Sequence, residues 1–378
     1  MGPLHGVRVI EIKGIGPGPY AGMLLADLGA DVIVVERDAK PNGIAPPSAT
    51  DVHSRGKRSI ALNLKTPAGV AALLRIVAQS DVLIEGFRPG VAERLGFGPE
   101  ACHDVNPRLV FGRLTGWGQD GPLANTAGHD INYIGIVGAL AAIGSADKPT
   151  VPLNLVGDYA GGSLFLVIGI LAALLEAKAS GQGQIIDAAI TDGAAHLMSG
   201  FHGWRDIGFW NTQRANNLLD GAAPNYDTYA TSDGRFLAIG ALEPQFTAAL
   251  LDGLGLADQL DASAFYPAHW PQTKQRIASV VASRTQAEWL AVFDGSDACV
   301  APVLNVDDAP AHPHNQARKT YVDIAGVTQP APAPRFSRSA CSQPAAPHAE
   351  AADSDAVLAE FGYSADEIAA LRHDAVLR

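Results

Sequence analysis

Three short segments of this chain carry residue types suited to moving a proton on and off carbon. Gly128-His129-Asp130 offers an imidazole, Gly157-Asp158 a carboxylate and Leu242-Glu243-Pro244 a second carboxylate. Each stands beside glycine, proline or an apolar stretch. An acid and a base on opposite faces of one carbon can take a proton from one side and return one to the other. Each residue also has a purely structural reading. A lone histidine can be a satisfied core residue, an aspartate before a helix is commonly its N-cap, and Glu243-Pro244 is a good helix start.

Other constellations carry less. His312-Pro313-His314 is isolated, and no His-Glu-x-x-His run occurs, so the sequence offers no recognisable metal site. Asp187 and Asp192 sit in an apolar segment and read as partners of loop backbone. Gly162-Ser163 lacks the glycines of a nucleophile elbow. The Gly14–Pro19 loop holds one Gly-x-Gly but no third glycine, a weak dinucleotide fingerprint that reads equally well as a tight strand-to-helix turn.

These residues need a large scaffold, and 378 residues supply one, enough for two domains. The formal net charge of −12 argues against bulk attraction to nucleic acid or an anionic membrane. A polyanion would have to be met by a local basic cluster. Three widely spaced cysteines, Cys102, Cys299 and Cys341, argue for a reducing compartment rather than a disulfide framework. With no signal-peptide pattern and no Ser-Lys-Leu ending, a cytoplasmic location is expected. The most apolar run, Leu164 to Leu175, is shorter than the roughly 20 residues that span a bilayer and is expected to form a buried helix.

The first half alternates strand-like and helix-like segments. Val7 to Ile12, Asp31 to Val35 and Val82 to Ile84 read as strands, and Tyr20 to Leu28 as a helix. Thr66-Pro67 is a capped helix start, followed by Val70, Leu73, Leu74 and Val77 on one face. Such alternation predicts a parallel sheet covered by helices on both sides, a Rossmann-like α/β domain over 1–200. After a linker over 201–224, a smaller α+β domain is expected over 225–306. There Ser232-Asp233-Gly234 turns between strands Tyr226 to Tyr229 and Phe236 to Ile239, and helices follow at Gln245 to Leu254, Thr273 to Ala282 and Gln286 to Phe293. Residues 307–378 form a C-terminal segment. It holds an extended Pro/Ala/Ser-rich connector, Gln329 to Pro347, and a short helix announced by the capping-box pair Ser364 and Glu367.

Ala127-Gly128-His129-Asp130-Ile131-Asn132-Tyr133 and Asn154-Leu155-Val156-Gly157-Asp158-Tyr159 resemble the α-methylacyl-CoA racemases, within the family III CoA-transferase superfamily. Gly14–Pro19, Leu28–Val32, Glu85–Gly90 and Leu219–Asp227 extend the likeness over most of the chain. The resemblance implies an interlocked homodimer, each subunit having a large and a small domain, with the C-terminal segment returning to the large one. It implies an acyl-CoA thioester as partner and substrate. CoA would be held by Arg37, Leu62, Asn63, Leu64, Lys65, Gly86, Phe87, Arg88, Arg94, Gly128, Asp130, Ile131, Asn132 and Tyr133. Of the basic residues, Arg88 between Gly86 and Pro89 is best placed for a phosphate, at the sheet edge where ligands bind.

The activity implied is inversion at the α-carbon of a 2-methylacyl-CoA. One direction uses neutral His129 as base and protonated Asp158 as acid; the other uses ionised Asp158 and imidazolium His129. The pair therefore shares one proton and titrates as a unit. Glu243 would stabilise the imidazolium, and a helix N-terminus at Asp158 would offer N–H groups to the enolate oxygen. No metal or cofactor is expected, since the thioester itself acidifies the carbon. Two alternatives share the scaffold: a CoA-transferase in which Asp158 attacks the thioester, and a non-catalytic acyl-CoA-binding protein. Retention of His129 and Glu243 favours the racemase. The acyl group stays open: branched fatty, sterol-side-chain and arylpropionyl thioesters all remain candidates. With three methionines a soft methionine surface is not available, and Phe165, Phe201, Trp204, Phe209 and Trp210 read more readily as packing than as an acyl path.

Overall fold

The computed structural model describes residues 2–36 and 48–377. In chain order the first part contains β1 (Arg8–Ile12), α1 (Pro17–Asp27), β2 (Asp31–Glu36), β3 (Arg58–Ala61), α2 (Pro67–Val77) and β4 (Val82–Glu85). It continues with α3 (Val91–Leu95), α4 (Pro99–Val105), β5 (Val110–Thr115), α5 (Asp130–Ile136) and α6 (Ala139–Ala142). A π-helical turn, Leu155–Leu164, runs directly into α7 (Phe165–Ser180), and β6 (Ile185–Ala189) and α8 (Ile190–Leu197) follow.

The six strands are parallel and ordered β3-β2-β1-β4-β5-β6. This is the doubly wound order, whose switch point lies between β1 and β4. Its strands are apolar on both faces because helices cover both. Val9 and Ile10, neighbours in β1, point into different cores. Ile10 packs with Ile33, Leu73, Leu83 and Phe111, whereas Val9 packs with Leu25, Val32, Leu166 and Ile170. The Thr66 side chain caps α2 by accepting the Gly69 N–H at 3.1 Å, and Pro67 opens the helix.

Two compact units divide the chain. The first comprises residues 1–137, 153–197 and 317–378. Its C-terminal stretch begins in the short helix α13 (Pro313–Arg318) and holds α14 (Ser354–Glu360), whose Val357 and Leu358 enter the core with Ile10, as does Phe361 just beyond the helix. Asp353 accepts the Ser59 N–H at 2.8 Å, and Leu377 pairs with Leu62. Ser364 and Glu367 form the expected capping box at the start of α15 (Ala365–His373).

The second unit comprises residues 138–152 and 198–316. An antiparallel sheet of β7 (Tyr226–Ala230), β8 (Phe236–Gly240) and β9 (Val300–Val303) packs with α10 (Pro244–Leu254), α11 (Trp270–Val281) and α12 (Gln286–Phe293) around Leu237, Leu250, Ile277 and Trp289. The division differs from the expected boundaries, with residues 307–316 of the expected C-terminal segment and the expected linker 201–224 both grouped in this unit. Residues 138–152 group with this unit, tied by Arg214, whose guanidinium donates to the carbonyls of Ala141 and Ser145. The stretch expected as a linker begins with the helix α9 (Ser199–Asp206).

The apolar run at Leu164 also departs from expectation. The π-turn joins α7 into one 26-residue helical run, Leu155–Ser180, with an 18-residue window of mean hydropathy 2.0, which by length and composition alone is enough to cross a membrane. Only one side is buried, through Leu166, Val167, Ile170, Ala173 and Ala177. Leu164, Ile168 and Leu175 form an exposed apolar stripe. A helix apolar all round reads as buried all round, but this chain covers only one side of it.

Arg55 ties the sheet region to the C-terminal segment. Its guanidinium meets Asp27 at 2.5 Å with both side chains almost fully buried, and also donates to the Gln329 side chain and the Pro330 carbonyl. Arg55→Met leaves Asp27 buried without its cation. It should lower stability by about 3–5 kcal/mol, read from urea unfolding; a loss under about 1 kcal/mol would show that solvent or a neighbour replaces the pair.

Candidate active site

The parallel sheet opens its site at the carboxyl ends of its strands. Three loops gather in the first unit: Gly14–Pro19 after β1, the Gly86–Gly90 turn after β4, and the segment after β5 that leads to His129 and α5. The π-turn carrying Asp158 adds a fourth element. Its wide winding shows in the Tyr159 N–H, which donates to the Asn154 carbonyl five residues back. Such turns are uncommon and recur at functional sites.

Asp158 is not a helix cap. It lies within the π-turn, half-buried, and its own N–H donates to Asp130 Oδ2 at 2.7 Å. That N–H is therefore taken and cannot serve an enolate oxygen, contrary to the sequence expectation. The contact requires Gly157, where an added Cβ would stand 2.5 Å from Asp130 Oδ2. Asp130 is itself buried, and its Oδ1 has no partner among the described residues.

Two carboxylates are thus pressed together out of water. Burial raises the Asp158 pKa to about 6, the neighbouring charge of Asp130 adds to the rise, and the Asn154 amide and His129 oppose it. His129 is exposed at the N-cap of α5, where the Asn132 side chain accepts its N–H at 3.0 Å. Beneath it Tyr133 is buried, donates to the Gly128 carbonyl and packs edge-on against Trp117. Burial pushes the Tyr133 hydroxyl to about 12; the charges of Asp158 and Asp130 add to this and Arg88 counters it.

Of the expected CoA contacts, Arg37 lies outside the described residues. Arg88 is exposed in the turn after β4, and Arg94 is exposed with its guanidinium folded back toward Gly90. Ile131 and Asn132 are exposed on α5, and Lys65 is exposed before α2. Leu62 and Leu64 are core residues, so only their backbone can face a ligand. Asn63 receives the Lys65 N–H on its side chain and donates its own N–H to the Val376 carbonyl. Phe87 is half-buried, and its N–H donates to Glu85 at 2.6 Å. Gly86 is exposed, with the Leu114 carbonyl 3.2 Å from where a Cβ would stand.

Glu243 belongs to the second unit. It is exposed and precedes Pro244 at the start of α10, making no side-chain cap hydrogen bond. In that unit Phe201, Trp204, Phe209 and Trp210 contact one another, mostly edge-on, as expected for packing; Trp210 is buried and Phe209 exposed. Asp187 accepts the Gln119 N–H at 2.9 Å, the loop-holding role its setting suggested.

Sequence reasoning undervalued the Gly14–Pro19 loop. A Cβ at Gly16 would stand 3.5 Å from Asp158 Oδ2, so this loop borders the carboxylate directly. Tyr20, just past the loop, and Tyr159, just past Asp158, have ring centroids 4.5 Å apart, and His53 stands edge-on to both. Burial lowers the His53 pKa, with Asp51 opposing. The adjacency of Tyr20 to the loop and of Tyr159 to Asp158 was the only available signal; nothing nearby in sequence brings in His53.

A carboxylate raised toward neutral titration within the field of an imidazole, with exposed arginines at the edge of the same doubly wound sheet, is chemically suited to acid–base work on an anionic ligand. Residues 4–352 match the model of CoA-transferase family III, and the chain belongs to that family. It is 45% identical to α-methylacyl-CoA racemase of Mus musculus and 42% identical to that of Homo sapiens, each over 99% of this chain and 97% of the relative. Its fold is similar to a CAIB/BAIF family protein from Brucella suis, with TM-score 0.81 and 28% identity over 95% of this chain and 99% of that one.

The electrostatics make one direct prediction. Asp130→Asn keeps an oxygen for the Asp158 N–H but removes the adjoining charge. The Asp158 pKa should fall from about 6 toward the ordinary carboxylate range. Carbon-13 titration of the Asp158 carboxyl reads it. An unchanged midpoint would mean that burial alone sets the proton affinity.

Proposed function

We propose that this chain is an isomerase that interconverts (2R)- and (2S)-2-methylacyl-CoA thioesters. The observation that carries this reading is Asp158 held between its two protonation states, at about 6, within the field of His129. An acid–base pair that works in both directions must release and regain its proton near neutral pH.

With the α-carbon between them, His129 takes the proton from one face while protonated Asp158 supplies one to the other. Reversal starts from ionised Asp158 and imidazolium His129. The intervening enolate needs donors for its oxygen. No hydrogen bond among the described residues takes the N–H of Asp130 or Ile131, in the first turn of α5 beside His129, so these are the donors we assign. Arg88, exposed at the switch-point edge, is assigned to a CoA phosphate, with Arg94, Lys65 and the backbone of 62–64 in support. The thioester supplies the acidity, so the reaction runs without metal, nicotinamide or pyridoxal.

The working form in this reading is an interlocked homodimer. The exposed stripe Leu164, Ile168 and Leu175 supports it, because a second copy would cover apolar surface that one chain leaves open. Glu243 would reach the site from the partner, where its exposed carboxylate meets His129.

In heavy water either epimer of a 2-methylacyl-CoA should take up deuterium at the α-carbon and approach an epimer mixture, with activity retained after chelation. His129→Ala and Asp158→Ala should each abolish inversion while leaving weak exchange on opposite faces, followed on separated epimers. Inversion at the wild-type rate by Asp158→Ala would overturn the two-base assignment. Acyl transfer to a second acid, with an acyl group trapped on Asp158 by hydroxylamine, would instead favour the transferase.

The dimer is tested by co-expressing two inactive parents, His129→Ala and Glu243→Ala, with different tags. If Glu243 serves in trans, the mixed dimer has one doubly altered and one intact site and should recover about half of wild-type activity. An inactive verified heterodimer rejects the shared site, and an active Glu243→Ala parent rejects the role given to Glu243.

A further inference from the structure

Glu11 stands in β1 between the apolar Ile10 and Ile12, and it is fully buried. Its carboxylate meets Lys57 Nζ at 2.5 Å, with both side chains about 98–99% out of solvent. The same Nζ donates to the Pro19 carbonyl at 2.8 Å. Helix α1 closes directly over the pair: a Cβ at Gly22 would stand 1.9 Å from Glu11 Oε2 and 2.9 Å from Lys57 Nζ. A buried ion pair is costly to assemble and is not needed to fill this core. What it does here is present a fixed ammonium to one backbone carbonyl of the Gly14–Pro19 loop.

A second contact grips the same loop two residues earlier. The Ser163 hydroxyl, fully buried, lies 2.7 Å from the Pro17 carbonyl and 3.0 Å from the Asp158 carbonyl. It thereby joins the loop to the π-turn that carries Asp158. Between the two grips and the site stands Gly16, against Asp158 Oδ2.

We infer that Glu11, Lys57 and Ser163 are positioning residues that clamp Gly16–Pro19, the N-cap and first turn of α1, and so fix the Asp158 carboxylate for its face of the reaction. None of them touches the reacting carbon. His129, the N-cap of α5, has no direct hydrogen bond to this clamp among the described residues; the clamp reaches it through the bond between the Asp158 N–H and Asp130, and so bears first on the Asp158 face. The inference rests on the assignment of Asp158 and His129 to opposite faces.

That asymmetry supplies a readout that general destabilisation would not move. In Glu11→Leu/Lys57→Met both charges are removed together, a replacement that buried pairs commonly tolerate, and the Pro19 carbonyl loses its donor. Ser163→Ala removes the other grip with a minimal change of volume. Deuterium exchange is measured separately on the two epimers, with His129→Ala and Asp158→Ala as references and with thermal unfolding as a check on folding. In both clamp variants, exchange from the epimer whose α-hydrogen faces Asp158 should fall by about tenfold or more, the scale expected when a reacting group is displaced by a fraction of an ångström. Inversion should fall with it. Exchange with retention from the His129-facing epimer should stay within about twofold of wild type. Equal losses on both faces, or no loss on either, overturn the clamp. If the double variant does not fold, Ser163→Ala alone decides by the same criterion. If the two reference variants do not separate by face, the two-face assignment falls and the clamp falls with it; if they separate and the clamp variants do not, only the clamp is lost.

Discussion

The contact on which the site depends is the hydrogen bond from the Asp158 N–H to the buried Asp130 carboxylate. It joins the first turn of α5 to the π-turn, and so sets His129 and Asp158, neighbours of the two bonded groups, at a fixed spacing. It also forces one carboxylate against another where water is scarce. Gly157 makes the approach possible, and the hydrogen bond offsets part of the repulsion it creates. Positioning and proton affinity are thus not separate features of this site. The group that holds Asp158 in place also helps keep it near neutral titration.

Sheet order then determines what this pair can meet. In the order β3-β2-β1-β4-β5-β6 the loops after β1 and β4 flank the switch point, the carboxyl edge at which open α/β sheets bind ligands. Gly16 lies on one of those loops and Arg88 on the other. Asp158 and His129 therefore stand on the same edge as the exposed arginine, an arrangement that would suit a ligand with a reactive acyl end and an anionic far end. Raising Asp158 toward neutrality costs stability at neutral pH, because the carboxylate ionises less readily folded than unfolded. The surrounding sheet, with two apolar cores, supplies stability from burial that does not depend on this group.

Much of the scaffold was legible because its signals are local. Thr66-Pro67 caps α2, Ser364 and Glu367 cap α15, and Gln286 to Phe293 is helical at the residues expected, each set by side chains within one turn. Strands β1, β2, β4, β7 and β8 were legible from apolar runs bounded by glycine and polar residues, whereas β3, β5, β6 and β9 were not read as strands. The π-turn was not, because its wide winding has no residue code of its own and the contacts of Gly157 with α5 are tertiary. The exposed side of α7 was not, because composition cannot say which face of an apolar helix a single chain covers. Glu11 did carry a signal that went unread: a carboxylate inside Val9-Ile10-Glu11-Ile12 must find a buried cation. Which lysine answers it, and that the lysine also grips Pro19, required the fold.

The proton affinity of Asp158 also bears on which chemistry the family scaffold performs in this chain. A carboxylate that attacks a thioester must be ionised when it acts, and a pKa in the ordinary range would serve, since nearly every molecule would then be ready at neutral pH. A carboxyl that alternates between base and acid is served poorly by that range, because its protonated form would be scarce. At about 6 both forms are present within roughly tenfold of each other near pH 7. The group opposite it is an imidazole, which can accept a proton on one nitrogen and give it back, as a two-way relay needs. Burial and the Asp130 charge, neither of which nucleophilic attack requires, bring the carboxyl into that range. The electrostatics of the π-turn therefore suit the proton relay proposed here better than nucleophilic attack, on a fold that other members of the family share.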